Sequence, residues 1–338
     1  MYVVGVDGGT TKTIALVADA QGQILAAARG GGSNWTGEDV QIPMTVVVET
    51  VREALQKAGL SGAEIEIGVF TLAGADWPED HTRREDFLSR AGIAKRVIVK
   101  NDAFGGLRAG LTRPYGMVLA VGTGMNAAVI TPDGTEWAFG YYETFGGAGT
   151  IAQDAFNALL RAEDGRGQPT SLTGPVLERL GFPTVEAMLR ASVQRQIDAG
   201  RFYSIVPLVF EHALAGDPVA AAIIARQGSG LAEYITAMAR RFQMTGMEFE
   251  VVLAGSVFKG AGPLLVDTLT QEIHKAAPYA RIVRAKFEPV VGGVLLALDH
   301  LGGTPGAEVY QNLARSMPDA AFFDTSRGGR PTPVREEE

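Results

Sequence analysis

The sequence predicts an α/β protein built from two similar halves, each with the element order βββαβαβα. Its 338 residues exceed the length at which a single hydrophobic core usually keeps growing, which favours two domains. The same order of apolar strands and amphipathic helices occurs twice along the chain. In both halves a glycine-bearing turn follows the first strand, at residues 7–13 and 122–126. Two such halves usually enclose one cleft, where we expect the ligand site.

The first half, residues 1–112, begins with a three-stranded meander. Short polar turns at 7–12 and 19–23 separate its strands, and helices and strands then alternate because the spacing of apolar residues changes from one segment to the next. The predicted strands are residues 2–6, 14–18, 24–28, 65–72 and 96–100, and the predicted helices are 41–58, 79–91 and 103–111.

The second half, residues 113–302, repeats this order and adds helices. Residues 303–338 form a tail, whose polar end cannot bury enough apolar area to order itself. Within the tail, a helix over 308–317 is expected to pack on the first domain. The strands predicted in the second half are 117–121, 127–130, 136–139, 249–254 and 280–285, and its helices are 262–276 and 292–301, with a mostly helical insertion over 150–242.

Composition excludes several classes of function. The net charge of −8 and the lack of a lysine- or arginine-rich run argue against nucleic acid as a partner. The chain has no cysteine, which excludes disulfides, thiolate metal sites and iron–sulfur clusters. No run of about 18 apolar residues predicts a membrane span, and the N-terminal apolar run is too short for a secretion signal. We therefore expect a cytoplasmic protein with no nucleic-acid or membrane partner.

The turn after the first strand has the features of a phosphate-binding site. Glycines let backbone N–H groups point into a concavity, hydroxyl groups add donors, and an acid at the strand end can hold Mg²⁺ through water. It is not a Walker motif, because G-x-x-x-x-G-K-[ST] occurs nowhere in the chain. Taken alone, the turn is equally typical of an ordinary glycine hairpin. Its residues are Asp7, Gly8, Gly9, Thr10, Thr11, Lys12 and Thr13.

The corresponding turn of the second half strengthens this interpretation. It contains Gly122, Thr123, Gly124 and Asn126, again directly after an apolar strand. On its own it has the same alternative, a plain glycine turn. Two such turns at equivalent positions of a repeat favour a phosphate chain held from both sides.

Asp102 is the candidate general base. It follows the apolar strand 96–100, and the carboxyl ends of strands are the usual location of ligand sites in α/β folds. Position alone favours a helix N-cap for this residue, although a capping Asp can still project into a cleft. Another glycine turn, with Gly255, Ser256 and Phe258, can place a base or ribose against bare backbone. Tight packing of helix on strand is the alternative, and it is favoured for this turn on its own.

In this order, the motifs resemble those of the N-acetylglucosamine kinases in the BadF/BadG/BcrA/BcrD ATPase family, part of the superfamily of sugar kinases, Hsp70 and actin. The resemblance covers about residues 2–300. It implies two RNase H-like (actin-like ATPase) domains and ATP-dependent phosphorylation of a hexose or amino sugar. It also implies ATP and Mg²⁺ as cofactors, a small-molecule sugar as partner, and a homodimer.

The resemblance also implies roles for individual residues. Asp102 would deprotonate or orient the acceptor hydroxyl, and Asp7 and Asp102 would hold Mg²⁺. The implied cofactor-binding residues are Gly8, Gly9, Thr10, Thr11, Lys12, Gly122, Thr123, Gly124 and Asn126 for the phosphates and Gly255, Ser256 and Phe258 for the adenosine. The implied sugar-binding residues are Asn34, Trp35, Gly74, Ala75, Asp76, Asp102, Gly140, Glu143 and Gly146.

The segment 140–149 departs from the family pattern. N-acetylglucosamine kinases carry Gly-Trp-Gly and then Gly-Asp-Glu-Gly there, whose Asp helps to bind the sugar, whereas this chain reads Gly-Tyr-Tyr-Glu-Thr-Phe-Gly-Gly-Ala-Gly. Loss of a polar partner for a sugar hydroxyl can change specificity by orders of magnitude. Glu143 is the acid that can compensate. The acceptors to consider are therefore N-acetylglucosamine, glucosamine, another amino sugar and a muramic-acid derivative.

Two other functions fit parts of this pattern. The family includes ATPase activators of 2-hydroxyacyl-CoA dehydratases, which carry a cysteine-ligated iron–sulfur cluster and are excluded by the absence of cysteine. A sensor that binds ATP and sugar without turnover would tolerate the altered segment 140–149. The presence of Asp102 favours the kinase over the sensor.

Overall fold

The structure, a computed structural model, describes residues 1–34, 39–140, 145–302 and 305–323. By its internal contacts the chain divides into two compact units, each made of more than one segment of the sequence. The first comprises Met1–Val118, Ala128–Tyr141 and Val283–Glu338, and the second comprises Leu119–Ala127 and Tyr142–Ile282.

The first sheet contains the predicted meander and two further strands. Its strands are β1 (Tyr2–Gly8), β2 (Thr13–Asp19), β3 (Ile24–Gly30), β4 (Ile65–Leu72) and β5 (Arg96–Asn101). Their order is β3-β2-β1-β4-β5. The first three strands pair antiparallel, whereas β1 with β4 and β4 with β5 pair parallel. The meander predicted from the polar turns is therefore confirmed.

Helices cover both faces of the first sheet. One face packs on α1 (Gln41–Ala58) in a buried apolar cluster that also includes residues of α2 (Pro78–Arg90). The other face packs on α11 (Pro289–His300), beside α3 (Asp102–Gly110). A Cβ added to Gly5 of β1 would lie 2.4 Å from the backbone nitrogen of Val294, so the helix can approach this closely only because the residue is glycine.

The second sheet has the same strand order as the first. Its strands are β6 (Gly116–Val121), β7 (Met125–Ile130), β8 (Glu136–Ala138), β9 (Phe249–Ala254) and β10 (Ala280–Arg284). The order β8-β7-β6-β9-β10 matches β3-β2-β1-β4-β5 strand for strand. The α/β fold class and the internal repeat are therefore confirmed.

The insertion in the second half is helical, as predicted. Among the described residues no single helix is long and apolar enough to cross a membrane. Among those residues only the segments Ala199–Leu214 and Pro218–Arg241, taken together, reach such a length and composition, and the two segments are bent by 110° to each other. The helices are α4 (Gly147–Glu163), α5 (Thr173–Leu180), α6 (Val185–Val193), α7 (Ala199–Tyr203), α8 (Val206–Leu214), α9 (Pro218–Arg241) and α10 (Leu264–Ala276).

The last described helix, α12 (Ala307–Ser316), packs beside β3 in the first unit. The hydroxyl of Ser316 accepts a hydrogen bond from the backbone nitrogen of Ile24 at 2.9 Å. The side-chain amide of Asn312 donates to the carbonyl of Gln21 at 2.9 Å. Both this helix and α11 belong to the segment that starts at Val283 and is part of the first unit.

Candidate active site

The first glycine turn is a tight hairpin that connects β1 to β2. Gly8 is the last residue of β1 and pairs with Thr13, and residues 9–12 form the turn. The backbone nitrogen of Gly9 donates to the carbonyl of Lys12 at 2.9 Å. The ammonium group of Lys12 donates to the backbone carbonyl of Phe323, so the C-terminal segment lies against this turn.

Asp7, immediately before this turn, has an unusual electrostatic environment. The pKa of its carboxyl group is raised from the ordinary 3.8 to about 7, mainly by removal from solvent and next by the nearby carboxylate of Asp102. The ammonium of Lys12 acts in the opposite direction, and Glu288 adds a second like charge. Desolvation together with charge partners is typical of functional sites.

Asp102 is the first residue of α3 and does not cap it. The N-cap is Asn101, whose side-chain oxygen accepts a hydrogen bond from the backbone nitrogen of Ala103 at 3.0 Å. The prediction, from position alone, that Asp102 is the N-cap is therefore wrong. Strand β5 extends one residue further than predicted, so the N-cap is Asn101. Asp102 instead lies near Asp7 and interacts with it electrostatically.

The loop that carries Asn34 is attached to the hairpin. Ser33 is 1% exposed, and its backbone nitrogen donates to the carbonyl of Gly9 at 2.9 Å. The Ser33 hydroxyl accepts from the buried hydroxyl of Thr13 at 2.8 Å. The side-chain amide of Asn34 donates to the hydroxyl of Thr10 at 3.0 Å. Trp35 lies outside the described residues.

The loop after β4 reaches the same region. The backbone nitrogen of Ala73 donates to the carbonyl of Gly8 at 2.8 Å. Gly74 and the buried Ala75 follow, and Asp76 accepts a hydrogen bond from the side-chain amide of Asn101.

Burial raises the pKa of Asp76, as does Asp80, against the opposing effects of the Asn101 hydrogen bond and of Arg84 and His81. Gly140 lies beside Asp76: a Cβ added to it would be 3.1 Å from Oδ1 of Asp76. The first unit therefore gathers the hairpin, Asn34, residues 74–76, Asp102 and Gly140 into connected loops. Glu143 lies outside the described residues.

The second glycine turn belongs to the second unit. The backbone nitrogen of Gly122 donates to the carbonyl of Gly124 at 2.8 Å, and Asn126 accepts from the nitrogen of Ala127 at 2.8 Å. The turn adjoins the start of α4, where the nitrogen of Ala148 donates to the carbonyl of Gly122 at 2.8 Å. Gly146 is the N-cap of this helix. Thr123 is exposed between the two glycines.

The turn after β9 packs closely on the end of β6. Gly255 has a φ of +98°, and a Cβ on it would lie 2.2 Å from the carbonyl oxygen of Val121, so no other residue fits here without a backbone shift. Ser256 is exposed at the start of a short 3-10 helix, Ser256–Lys259. Phe258 is only 3% exposed, so its ring anchors the turn from the protein side.

Two features of this site were not predicted from the sequence. Glu288 is near Asp7, although the residues are far apart in the chain. It is the N-cap of α11, and the Glu288-Pro289 pair before an apolar run was a signal for a helix start. Asn101 is the second feature, since it lies between Asp76 and α3.

The carboxylates fit a magnesium ion that arrives with a nucleotide. In the described part of the chain, no group of three or more acidic, histidine or cysteine side chains could hold a metal alone. Mg²⁺ is usually bound by one or two carboxylates, several waters and the substrate phosphates. Asp7 and Asp102 match this smaller donor set, and the mutual repulsion of the two groups is what a cation would relieve.

Comparisons with known proteins identify the family. Residues 4–297 match the BadF/BadG/BcrA/BcrD ATPase family. The chain is 25% identical over 311 residues to N-acetyl-D-glucosamine kinase of Dictyostelium discoideum, which covers 88% of this chain and 97% of that protein. It is 26% identical over 300 residues to N-acetylmuramic acid/N-acetylglucosamine kinase of Clostridium acetobutylicum, with 88% and 98% covered.

A solved structure supports the same assignment. A protein from Chromobacterium violaceum, provisionally described as an N-acetylglucosamine kinase, has a TM-score of 0.66 and 27% identity. The match covers 88% of this chain and 98% of that one. The resemblance inferred from the motifs is thus confirmed, and the chain belongs to the BadF/BadG/BcrA/BcrD ATPase family.

Proposed function

We propose that this protein is an ATP-dependent kinase that transfers the γ-phosphoryl group of ATP to a hydroxyl group of an amino sugar. The observation that carries the proposal is that Asp7, the loop 73–76 and Asp102 lie at the carboxyl ends of three adjacent parallel strands, β1, β4 and β5. This edge of a sheet is the usual site of ligands in α/β proteins. The two named relatives, both sugar kinases by name, support the same chemistry.

Asp102 is proposed to accept the proton of the acceptor hydroxyl while the hydroxyl oxygen attacks the γ-phosphorus and ADP leaves. Phosphoryl transfer needs little covalent help from the protein, so positioning and charge stabilisation supply most of the rate. The hydroxyls of Thr10 and Thr11 and the ammonium of Lys12 are proposed to bind phosphate oxygens. Mg²⁺ bound with ATP would neutralise charge on the phosphates, with Asp7 and Asp102 holding it through water.

The second unit is proposed to bind the nucleotide. Its glycine turn 122–126 offers backbone N–H groups, together with the hydroxyl of Thr123, for phosphate oxygens. The turn at Gly255 presents bare backbone and the exposed Ser256, which suits a ribose or base. Gly146 is proposed to contribute at the start of α4, where backbone donors accumulate.

The acceptor is proposed to be an amino sugar. N-acetylglucosamine and N-acetylmuramic acid appear in the names of the two relatives. The side-chain amide of Asn34 is exposed. Asn34, Trp35 and Glu143 are proposed to bind sugar hydroxyls. Because the segment 140–149 departs from the family pattern, we include glucosamine and free muramic-acid derivatives among the candidates.

The test is release of ADP from MgATP across a panel of these sugars, with Asp102→Asn in parallel. We expect turnover with at least one sugar, and a fall in kcat of roughly 10²–10⁴-fold in the variant. The matched control is Asp198→Asn, which alters a helix-capping carboxylate at α7 outside the proposed site.

Two results would contradict the kinase proposal. Unchanged turnover in Asp102→Asn would remove the general base from the mechanism. Calorimetric binding of both ATP and sugar with no ADP release in either protein would establish the alternative, a sensor.

We also propose that the protein is a cytoplasmic homodimer, as the family resemblance implies. Light scattering after size-exclusion chromatography tests the mass, and cell fractionation tests the location. A monomer mass at every concentration would contradict the dimer.

A further inference from the structure

A hydrogen-bonded chain connects the loop after β4 to the first turn of α3. Oδ1 of Asp76 accepts from Nδ2 of Asn101 at 2.6 Å. Oδ1 of Asn101 in turn accepts from the backbone nitrogen of Ala103 at 3.0 Å. Asn101 is 3% exposed, so these contacts lie inside the protein.

These two contacts together fix which way the Asn101 amide faces. If the amide turned over, its NH₂ group would meet the N–H of Ala103, donor against donor, and its oxygen would meet the carboxylate of Asp76. Both contacts would then be lost in a buried place, where unsatisfied polar groups are costly. Asp76 therefore holds the amide in the orientation that caps α3.

Other groups fix the position of the Asp76 carboxylate. A Cβ added to Gly140 would be 3.1 Å from Oδ1 and 3.3 Å from Cγ of Asp76, so the backbone at Gly140 lies against one side of the carboxylate. Arg84 is 1% exposed and attracts the carboxylate, whereas Asp80 repels it. The side chain is thus placed by its neighbours before any ligand binds.

We propose that Asp76 is a positioning residue for Asp102, acting through Asn101, rather than a group that binds the sugar. The inference rests on the proposed function, in which Asp102 is the general base. Asp102 is the residue directly after the cap, so the orientation of the first turn of α3 determines where its carboxylate lies. Loss of Asp76 should therefore lower kcat and leave the KM for the sugar nearly unchanged.

The experiment measures kcat and KM for Asp76→Ala, Asn101→Asp and the double variant Asp76→Asn with Asn101→Asp. We expect Asp76→Ala to lower kcat roughly 10-fold or more, because small misplacements of reacting groups are costly. Asn101→Asp keeps an oxygen for the cap but places two carboxylates together, and it should lose activity similarly. The double variant exchanges donor and acceptor across the same contact, and it should recover most of kcat.

Three outcomes would overturn the inference. A higher sugar KM at unchanged kcat in Asp76→Ala would make Asp76 a sugar ligand. If the double variant does not recover kcat, although circular dichroism shows that it and Asn101→Asp are folded, the Asp76–Asn101 contact has no role in catalysis. Unchanged kcat in Asn101→Asp would do the same, and this measurement remains available if Asp76→Ala does not fold.

The control is Asp198→Ala, which removes the cap of α7 and should leave kcat unchanged. Failure of the inference is distinguishable from failure of the proposed function. If Asp102→Asn abolishes turnover but the exchanged pair does not recover the kcat lost in Asn101→Asp, only the positioning role is wrong. If Asp102→Asn has no effect, the kinase mechanism itself is wrong.

Discussion

Two aspartates, one in each unit, have pKa values shifted in opposite directions. Burial and then the charge of Asp102 raise the pKa of Asp7 to about 7. Burial acts in the same direction on Asp217, the N-cap of α9, but hydrogen bonds outweigh it and lower the pKa to about 2. Its donors are the backbone nitrogens of Val219, Ala220 and Ser171 and the hydroxyls of Ser171 and Thr170.

The difference separates a functional acid from a structural one. Asp217 is stabilised as a carboxylate by the fold itself, since it caps α9 and ties residues 170–171 to that helix. Asp7 is placed among like charges and away from solvent, which disfavours its charged form. A ligand cation or a phosphate-bound metal would relieve this cost, whereas folding alone does not.

Among the variants that test this comparison, the largest expected effect is the loss of activity in Asp7→Asn. Removing this charge should lower kcat about 100-fold, because Asp7 is proposed to hold the Mg²⁺ that would neutralise charge on the transferring phosphoryl group, and electrostatic stabilisation of this kind is worth about that much. Steady-state ADP release at saturating MgATP measures it. An unchanged kcat would mean that Asp7 has no role in catalysis and that the comparison with Asp217 is wrong.

The next effect is on stability, in Asp217→Ala. Loss of a helix cap and of the tether to residues 170–171 should lower the free energy of unfolding by about 2–3 kcal/mol and leave kcat nearly unchanged. Denaturant unfolding at pH 7 measures it.

The pH dependence of the contribution of Asp217 to stability follows from the lowered pKa of its carboxyl group. The folded carboxyl ionises at a lower pH than the unfolded one, near 3.8. The contribution is therefore complete above about pH 4 and is lost as the pH falls through about 2. The difference between Asp217→Ala and the unaltered protein should disappear in strong acid, and a constant difference would contradict the assignment.

The fold could be predicted from the sequence because apolar strands and polar turns are local signals. The N-cap of α3 could not be predicted, since Asn101 and Asp102 are both good N-cap residues. Their roles are decided by the pairing of β5 with β4, which pairs Asn101 with Leu72 and leaves Asp102 as the first helical residue. Register between strands is a tertiary property that the local pattern does not contain.

The neighbours of the predicted acidic residues could not be predicted from the sequence either. Glu288 comes close to Asp7 only because α11 packs on the first sheet, at Gly5. The repeat predicts α11 as part of the second half, and the repeat pattern contains no information about which sheet the helix packs on. The acid motifs themselves were visible, because glycine turns after apolar strands have a local signature.

A third effect is a gain in stability in Asp7→Asn. The folded carboxyl keeps its proton up to about pH 7, whereas the unfolded one loses it near 3.8. Folding therefore becomes less favourable as the pH rises from about 4 to about 7. Asparagine does not ionise, so the variant should be more stable by at most about 4 kcal/mol at pH 8, with little difference at pH 4. Denaturant unfolding in EDTA at both pH values measures it, and a less stable variant at pH 8 would contradict the charge-cost argument.

The smallest effect is expected for Ser171→Ala, which removes one of the donors to Asp217. The hydroxyl of Ser171 lies 2.8 Å from Oδ2 of Asp217 and 2.6 Å from Nδ1 of His212, but its backbone nitrogen remains bonded to Oδ2 at 2.7 Å. We expect a loss of about 0.5–1.5 kcal/mol, the usual worth of one hydrogen bond. In the Asp217→Ala background the same change should cost less, because the acceptor is already absent. Equal costs in both backgrounds, measured by a double-mutant cycle, would show that the Ser171 hydroxyl contributes to stability independently of Asp217.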